Sequence, residues 1–99
     1  GNWIQLSPVN SPFDRWSHGM VWDQARGEVV VFGGTRTTGR LNDTWTWNGT
    51  TWTQKAPANS PAQRDGHVMA YDAARQRVVM FGGNGGGQET WLWNGTNWT

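Results

Sequence analysis

The sequence predicts an all-β protein built from two copies of one four-stranded antiparallel unit, and three observations carry that prediction. The segment Glu28–Gly34, EVVVFGG, returns as Gln76–Gly83, QRVVMFGG, with its Val-Val-x-Phe-Gly-Gly core shifted by 49 positions. An Asn-Gly pair behind a Trp-x-Trp segment also returns, at Asn48-Gly49 and Asn94-Gly95. No stretch carries the 3.6-residue periodicity of an amphipathic helix.

Each element follows from local chemistry. The first strand, around Ser17–Trp22, alternates: His18, Met20 and Trp22 share one side, Gly19 and Val21 the other. Its copy, Gly66–Tyr71, puts His67, Met69 and Tyr71 on the bulky side and Val68 and Ala70 on the small side. Asp23–Gly27 and Asp72–Gln76 are polar turns, in which the Asp carboxylate accepts backbone N–H bonds. The Phe-Gly-Gly strand follows. Its apolar run is β-branched, too short for a buried helix, and stopped by glycines that permit positive φ or close backbone approach. Residues 35–42 and 84–88 are loops, with Gly85-Gly86-Gly87 a flexible tip. The third strand, Thr44–Trp47 or Thr90–Trp93, turns at Asn-Gly, a two-residue hairpin signal requiring positive φ at both central residues. A fourth strand starts at Trp52 or Trp98, the first running through Thr53-Gln54; Pro57 and Pro61 close it.

The repetition reaches beyond these elements. Pro8, Asn10, Ser11, Pro12, Arg15, His18, Met20, Asp23, Ala25 and Arg26 all meet identical residues 49 positions later. After the glycines the offset falls to 46, and Thr44–Thr50 pairs with Thr90–Thr96, so the intervening loop varies in length. The chain opens with a fourth-strand copy, Asn2–Leu6, and ends in the start of another, Asn97–Thr99. It begins at Gly1 rather than Met, as a processed or excised segment does.

Composition narrows the function classes. Of 99 residues, 35% are hydrophobic but nine are Trp, so a few large rings must provide most of the burial. A formal net charge of +1 gives no electrostatic reason to bind nucleic acid or an anionic membrane. No apolar run approaches a membrane span. With no Cys, disulfides, thiolate metal sites and cysteine nucleophiles are excluded.

The chain resembles the kelch repeat family of β-propellers. The resemblance covers the whole sequence in two copies. It rests on Pro-x-x-Arg-x-x-His (Pro12, Arg15, His18; Pro61, Arg64, His67), the Phe-Gly-Gly strand end, Asn-Asp-Thr-Trp-x-Trp at Asn42–Trp47, and the following Trp52. The second copy has Gln88-Glu89 in place of Asn42-Asp43. The resemblance implies one four-stranded blade per repeat, with the His-bearing strand nearest the axis and the last Trp strand outermost. Residues 1–6 then complete a neighbouring blade, 7–55 form the first blade and 56–99 the second. Other blades must come from further chains or a longer parent.

The residues of interest divide into framework and variable sets. Arg15 and Arg64 are expected to tie loop carbonyls and a neighbouring acid together. His18 and His67 sit on the bulky face of a strand, at positions that the resemblance implies are concerned with blade packing, and Gly33, Gly34, Gly82 and Gly83 are expected to end the inner strands. No constellation signals catalysis, a metal or a cofactor: no Gly-x-Ser-x-Gly, no phosphate loop, and no carboxylate cluster beside the two histidines. Four Asn-x-Thr sequons, at Asn42, Asn48, Asn94 and Asn97, read first as turn chemistry. Eight of the nine Trp have an aromatic counterpart and read mostly as core; Trp16 stands opposite Asp65 and is the exception.

A repeat holds its framework constant and varies its binding loops. The copies differ at Trp16-Ser17 against Asp65-Gly66, and in the loops carrying Arg36 and Arg40 against Asn84 and Gln88. These are the candidate ligand-binding residues. The expected function is a non-catalytic kelch-type module that binds protein or glycan, suited to an extracellular or cell-surface setting. The alternatives are a purely structural self-assembling fragment and the scaffold portion of a kelch-like enzyme; the family's copper-oxidase chemistry is excluded by the missing Cys. The expected partner is the chain itself. Three copies give six blades, a number common in the family, and four give eight. Asn2–Leu6 of one chain is expected beside Thr90–Trp93 of its neighbour, displacing Asn97–Thr99.

Overall fold

A computed structural model describes residues 15–37, 39–85 and 88–99. Among the described residues nine strands alternate with turns: β1 (Gly19–Asp23), β2 (Glu28–Phe32), β3 (Thr35–Arg36), β4 (Gly39–Arg40), β5 (Thr44–Trp47), β6 (Trp52–Lys55), β7 (Val68–Asp72), β8 (Arg77–Phe81) and β9 (Thr90–Trp93). They form a four-stranded antiparallel sheet in the order β1-β2-β5-β6, a three-stranded one in the order β7-β8-β9, and a β3-β4 ribbon. The fold is all-β. The two larger sheets pack on one another, and among the described residues they do not close a ring. The predicted outer strand Asn2–Leu6 lies outside the described residues.

Registers in the two sheets are equivalent. Met20 faces Val31 and Trp22 faces Val29 across β1-β2, as Met69 faces Met80 and Tyr71 faces Val78 across β7-β8. Trp45 and Trp47 oppose Val31 and Val29, and Trp91 and Trp93 oppose Met80 and Val78. Each sheet thus has a face of large residues and a face of smaller ones. The chain packs the bulky face of the second sheet on the small face of the first. Val30 and Phe32 meet Val78, Met80, Trp93 and Trp98 in one buried cluster, flanked by Val21, Met69, Tyr71 and Trp91.

The predicted turns hold their places, with one correction to their geometry. Asp23 is fully buried, its carboxylate accepts from Arg26 N, and its carbonyl accepts from Gly27 N. In the Asn-Gly loops only the glycines take positive φ, +98° at Gly49 and +100° at Gly95. Asn48 Oδ1 accepts from the N–H groups of Thr50 and Thr51, both at 2.9 Å. The side chain folds over its own loop, so the connection spans Asn48–Thr51 and the primed two-residue turn does not form.

Four further details depart from the sequence reading. Strands β1 and β7 start two residues later than expected, because the residues before them pair elsewhere. Loop 35–42 contains the β3-β4 ribbon. The fourth strand of the second sheet shrinks to a single bridge, Trp93 to Trp98, with Leu92 and Thr99 exchanging two 2.9 Å hydrogen bonds. Trp98 is fully buried, and it and Thr99 hold the place that the sequence assigns to Asn2–Leu6 of a neighbour. Trp22, read as core, is exposed at the edge of the bulky face of the first sheet, on which Val31 and Trp45 are buried; among the described residues no further sheet packs against Trp22.

The glycine ends of β2 and β8 fix the seam. Gly33 has φ +68°, and a Cβ there would lie 2.8 Å from the Arg64 carbonyl. Gly33→Val is expected to cost about 3 kcal/mol or more in a urea titration, from φ strain plus a backbone collision. Gly27 also has positive φ, but a Cβ there meets nothing within 4 Å, and its counterpart Gln76 already adopts φ +55°. Gly27→Gln should therefore cost about 1 kcal/mol or less; an equal loss in both variants would remove close approach as the reason for the Gly pair.

Candidate functional site

The predicted binding residues gather where the chain leaves the Phe-Gly-Gly strands and approaches the first strand of each sheet. Trp16 exchanges backbone hydrogen bonds with Thr35, at 3.1 and 2.9 Å. Asp65, its counterpart, does the same with Asn84, at 3.2 and 2.7 Å. So the position that differs most between the copies is held by the same backbone pairing in both. Ser17, at φ +56°, directs its carbonyl to Gly66 N at 2.8 Å, which joins the two approaches directly.

Arg40, on β4, crosses from the first loop to the second approach: its Nε donates to Asp65 Oδ1 at 2.8 Å. It also runs beside Gly85, where a Cβ would stand 3.2 Å from Arg40 Cδ. The structure therefore brings Ser17, Arg40, Asp65 and Asn84 into one contiguous rim, with Trp16 continuing it through Thr35. Arg36 pairs with Gly39 in the adjoining ribbon. Gln88 is exposed two residues before β9. The Trp16 side chain is 55% exposed, which leaves much of its indole in solvent.

Directly before Trp16 and Asp65 in the chain stand two arginine clasps. Arg15 donates to the Gly33 carbonyl at 3.0 Å and to both oxygens of Asp43, at 2.6 and 2.8 Å. Arg64, fully buried, donates to the carbonyls of Ala62 and Gly82 at 3.0 and 3.2 Å and to Glu89 Oε1 at 3.3 Å. A fork of N–H groups suits this work, because each clasp ties a glycine carbonyl at a strand end to an acid on the next connection. The acids also hold the neighbouring indoles: Trp45 Nε1 donates to Asp43 at 2.7 Å and Trp91 Nε1 to Glu89 at 3.2 Å. The sequence alignment placed Glu89 opposite Asp43 without showing that it does the same work; only the recurring acid before Thr-Trp hinted at it.

Electrostatics at these sites follows burial and partners. Burial pushes the Asp43 carboxyl up, but hydrogen bonds from Arg15 and Trp45 outweigh it, so its pKa lies below the usual range. His67 is 8% exposed, and its Nε2 lies 2.8 Å from the Phe32 carbonyl. Desolvation is the largest influence on it and lowers its pKa, partly opposed by that carbonyl. His18 and His67 belong to successive packing faces, and among the described residues no three His, Asp or Glu side chains cluster as a metal-binding group.

A cavity of about 390 Å³ lies elsewhere, lined by Trp45, Thr51, Trp52, Thr53 and Gln54 on the outer part of the first sheet. None of the sequence candidates lines it. Trp45 and Trp52 in its lining have Trp counterparts at Trp91 and Trp98 and read as framework, so the sequence drew no attention to it.

Comparison with known proteins finds no matching family model and no matching curated protein.

The lowered His67 pKa has a sign that can be checked. The unfolded imidazole, with its ordinary pKa near 6.5, takes up a proton before the folded one does. The unfolded state binds more protons as pH falls through that range, so stability present at pH 7 is lost toward pH 5. Melting temperatures at pH 7 and pH 5 should fall in the wild type and fall less in His67→Gln, which retains an amide donor for the Phe32 carbonyl. Equal slopes in the two proteins would show that His67 is not the titrating group.

Proposed function

We propose that the chain is a non-catalytic kelch-type propeller module whose rim at Trp16, Ser17, Arg36, Arg40, Asp65, Asn84 and Gln88 binds a protein or glycan, and which completes its propeller with further copies of itself. Three copies would give six blades and four would give eight. The observation that carries the binding reading is the separation of roles in space. The clasp residues Arg15 and Arg64 are the same in both copies and bind strand-end carbonyls and acids, whereas Arg40, Asp65 and Asn84, which differ, bond to one another, with Ser17 bonded to Gly66 beside them.

The chemistry of the rim favours a glycan. An exposed indole offers a flat apolar surface to a sugar ring, while a guanidinium, a carboxylate and a carboxamide nearby offer donors and acceptors for hydroxyl groups. The second reading, a structural unit that assembles without a ligand, is favoured by the exposed Met20 and Trp22 on the first sheet and Val68 and Phe81 on the second. Binding to an array of defined glycans separates the two. The expected result is saturable binding to one glycan class, weakened at least tenfold by Trp16→Ala and by Arg36→Ala without a change in melting temperature. Binding that survives both substitutions would place recognition elsewhere, and an array with no specific signal would favour the structural reading.

A further inference from the structure

The seam inside the chain has a complete set of complementary parts, and the same parts recur, unpaired, on its two outer faces. At the seam, Phe32 is fully buried between His67 and Trp98, in edge contacts with ring centroids 5.8 and 5.3 Å apart. His67 Nε2 meets the Phe32 carbonyl at 2.8 Å, and Trp98 Nε1 donates to Thr44 Oγ1 at 3.0 Å. Arg26 closes the far end by donating to the Gln76 carbonyl at 2.9 Å.

The counterparts are divided between two surfaces. Phe81, which repeats Phe32, is 49% exposed on the small face of the second sheet, beside Val68 at 65%. Met20 and Trp22, which repeat Met69 and Tyr71, are 56% and 54% exposed on the bulky face of the first sheet. Trp52, which repeats Trp98, is already set for the contact. Its ring lies 5.3 Å from Trp47 at 44°, the same arrangement as Trp98 with Trp93. The cavity beside Trp45 and Trp52 opens at that site.

We propose that a second copy of the chain seats the bulky face of its first sheet on the small face of this chain's second sheet, reproducing the internal seam. This rests on the self-assembly in the proposed function and specifies its contacts. His18 of the second copy takes the Phe81 carbonyl, Trp52 donates to Thr90 Oγ1, and Arg75 reaches the Gly27 carbonyl. The occupant is a second copy because each outer face repeats one half of a seam that this sequence already forms with itself. The interface is heterologous, so one face of each kind stays open until a ring closes.

One position departs from the copy. Gly19 leaves room for His67 and Met69: a Cβ there would meet Met69 Sδ and lie 2.6 Å from His67 Nε2. Its counterpart is Val68. The second copy's Met20, an unbranched chain, must therefore turn aside, and its His18 must shift outward to reach the Phe81 carbonyl. Overpacking of this kind weakens the outer seam relative to the inner one.

The test uses purified full chain and light scattering over a concentration series, with two variants that each block one face: Met20→Glu on the bulky face and Phe81→Lys on the small face. The wild type is expected to form oligomers in multiples of the 11.1 kDa chain. Each variant alone should be monomeric with an unchanged melting temperature, and the equimolar mixture should give a dimer of one chain each and nothing larger, since one intact face of each kind remains. Val68→Gly, which restores the shape of the inner seam, should tighten wild-type association about tenfold. A wild type monomeric at every concentration would overturn self-assembly itself. An oligomer that persists in both single variants, or a mixture that stays monomeric, would overturn this seam alone.

Discussion

Gly19 has no side chain, and His67 and Met69 fill the space that one would need. This contact sets how closely the two sheets approach, and much else depends on that distance. It lets His67 reach the Phe32 carbonyl, it brings Trp98 to Thr44, and it buries Phe32 on both sides. Each edge-on ring pair adds about 0.5–1.5 kcal/mol beyond its burial. In a chain with little aliphatic content, a small number of aromatic contacts along one seam carries most of the tertiary stability. The hydrogen bonds at the seam join polar groups that the approach itself dehydrates, so leaving any of them unmade would be costly.

The arginine clasps solve a different problem. A strand that ends in two glycines leaves carbonyls pointing into the packed region between connections, where water does not compete well. Arg15 and Arg64 satisfy those at Gly33 and Gly82 and neutralise their own charge on Asp43 and Glu89. The Arg15–Asp43 pair is bidentate and short, whereas Arg64 reaches its glutamate through a single longer bond. Glu has one more methylene than Asp and is more exposed, so the second clasp is looser although its guanidinium is the more buried. A buried guanidinium of this kind is strongly destabilising to uncouple, because its charge would remain behind without a partner. The rim inherits its rigidity from these clasps: Gly34 N donates to the Arg64 carbonyl, and Arg64 N to the Leu41 carbonyl, next to Arg40.

The framework was legible in the sequence to the extent that it is periodic. The alternation of His18, Gly19, Met20, Val21 and Trp22 told the faces apart, and the Asn-Gly pairs placed the loops between Trp47 and Trp52 and between Trp93 and Trp98. The turn geometry was not legible, because Asn has two ways to make a loop. It can take positive φ itself or bond its side chain to the residues ahead, and the choice depends on loop length. The candidate rim was legible as a set of differences between copies. Its closure by Arg40 and Asp65 was not, since a surface ion pair between residues 25 apart leaves no mark in a single sequence.

By itself the sequence determined the strands, their faces and the repeat, because side-chain alternation and turn chemistry act over a few residues. Only the tertiary structure decided which face meets which. Both sheets present a bulky and a small surface, and the local pattern is the same in either. The selection comes from the missing side chain at Gly19 and from the order of the chain, which sets the second sheet's large face against the first sheet's small one. Met20, Trp22, Val68 and Phe81 are left in solvent for the same reason: each belongs to a face whose complement the chain has used once, on the inside.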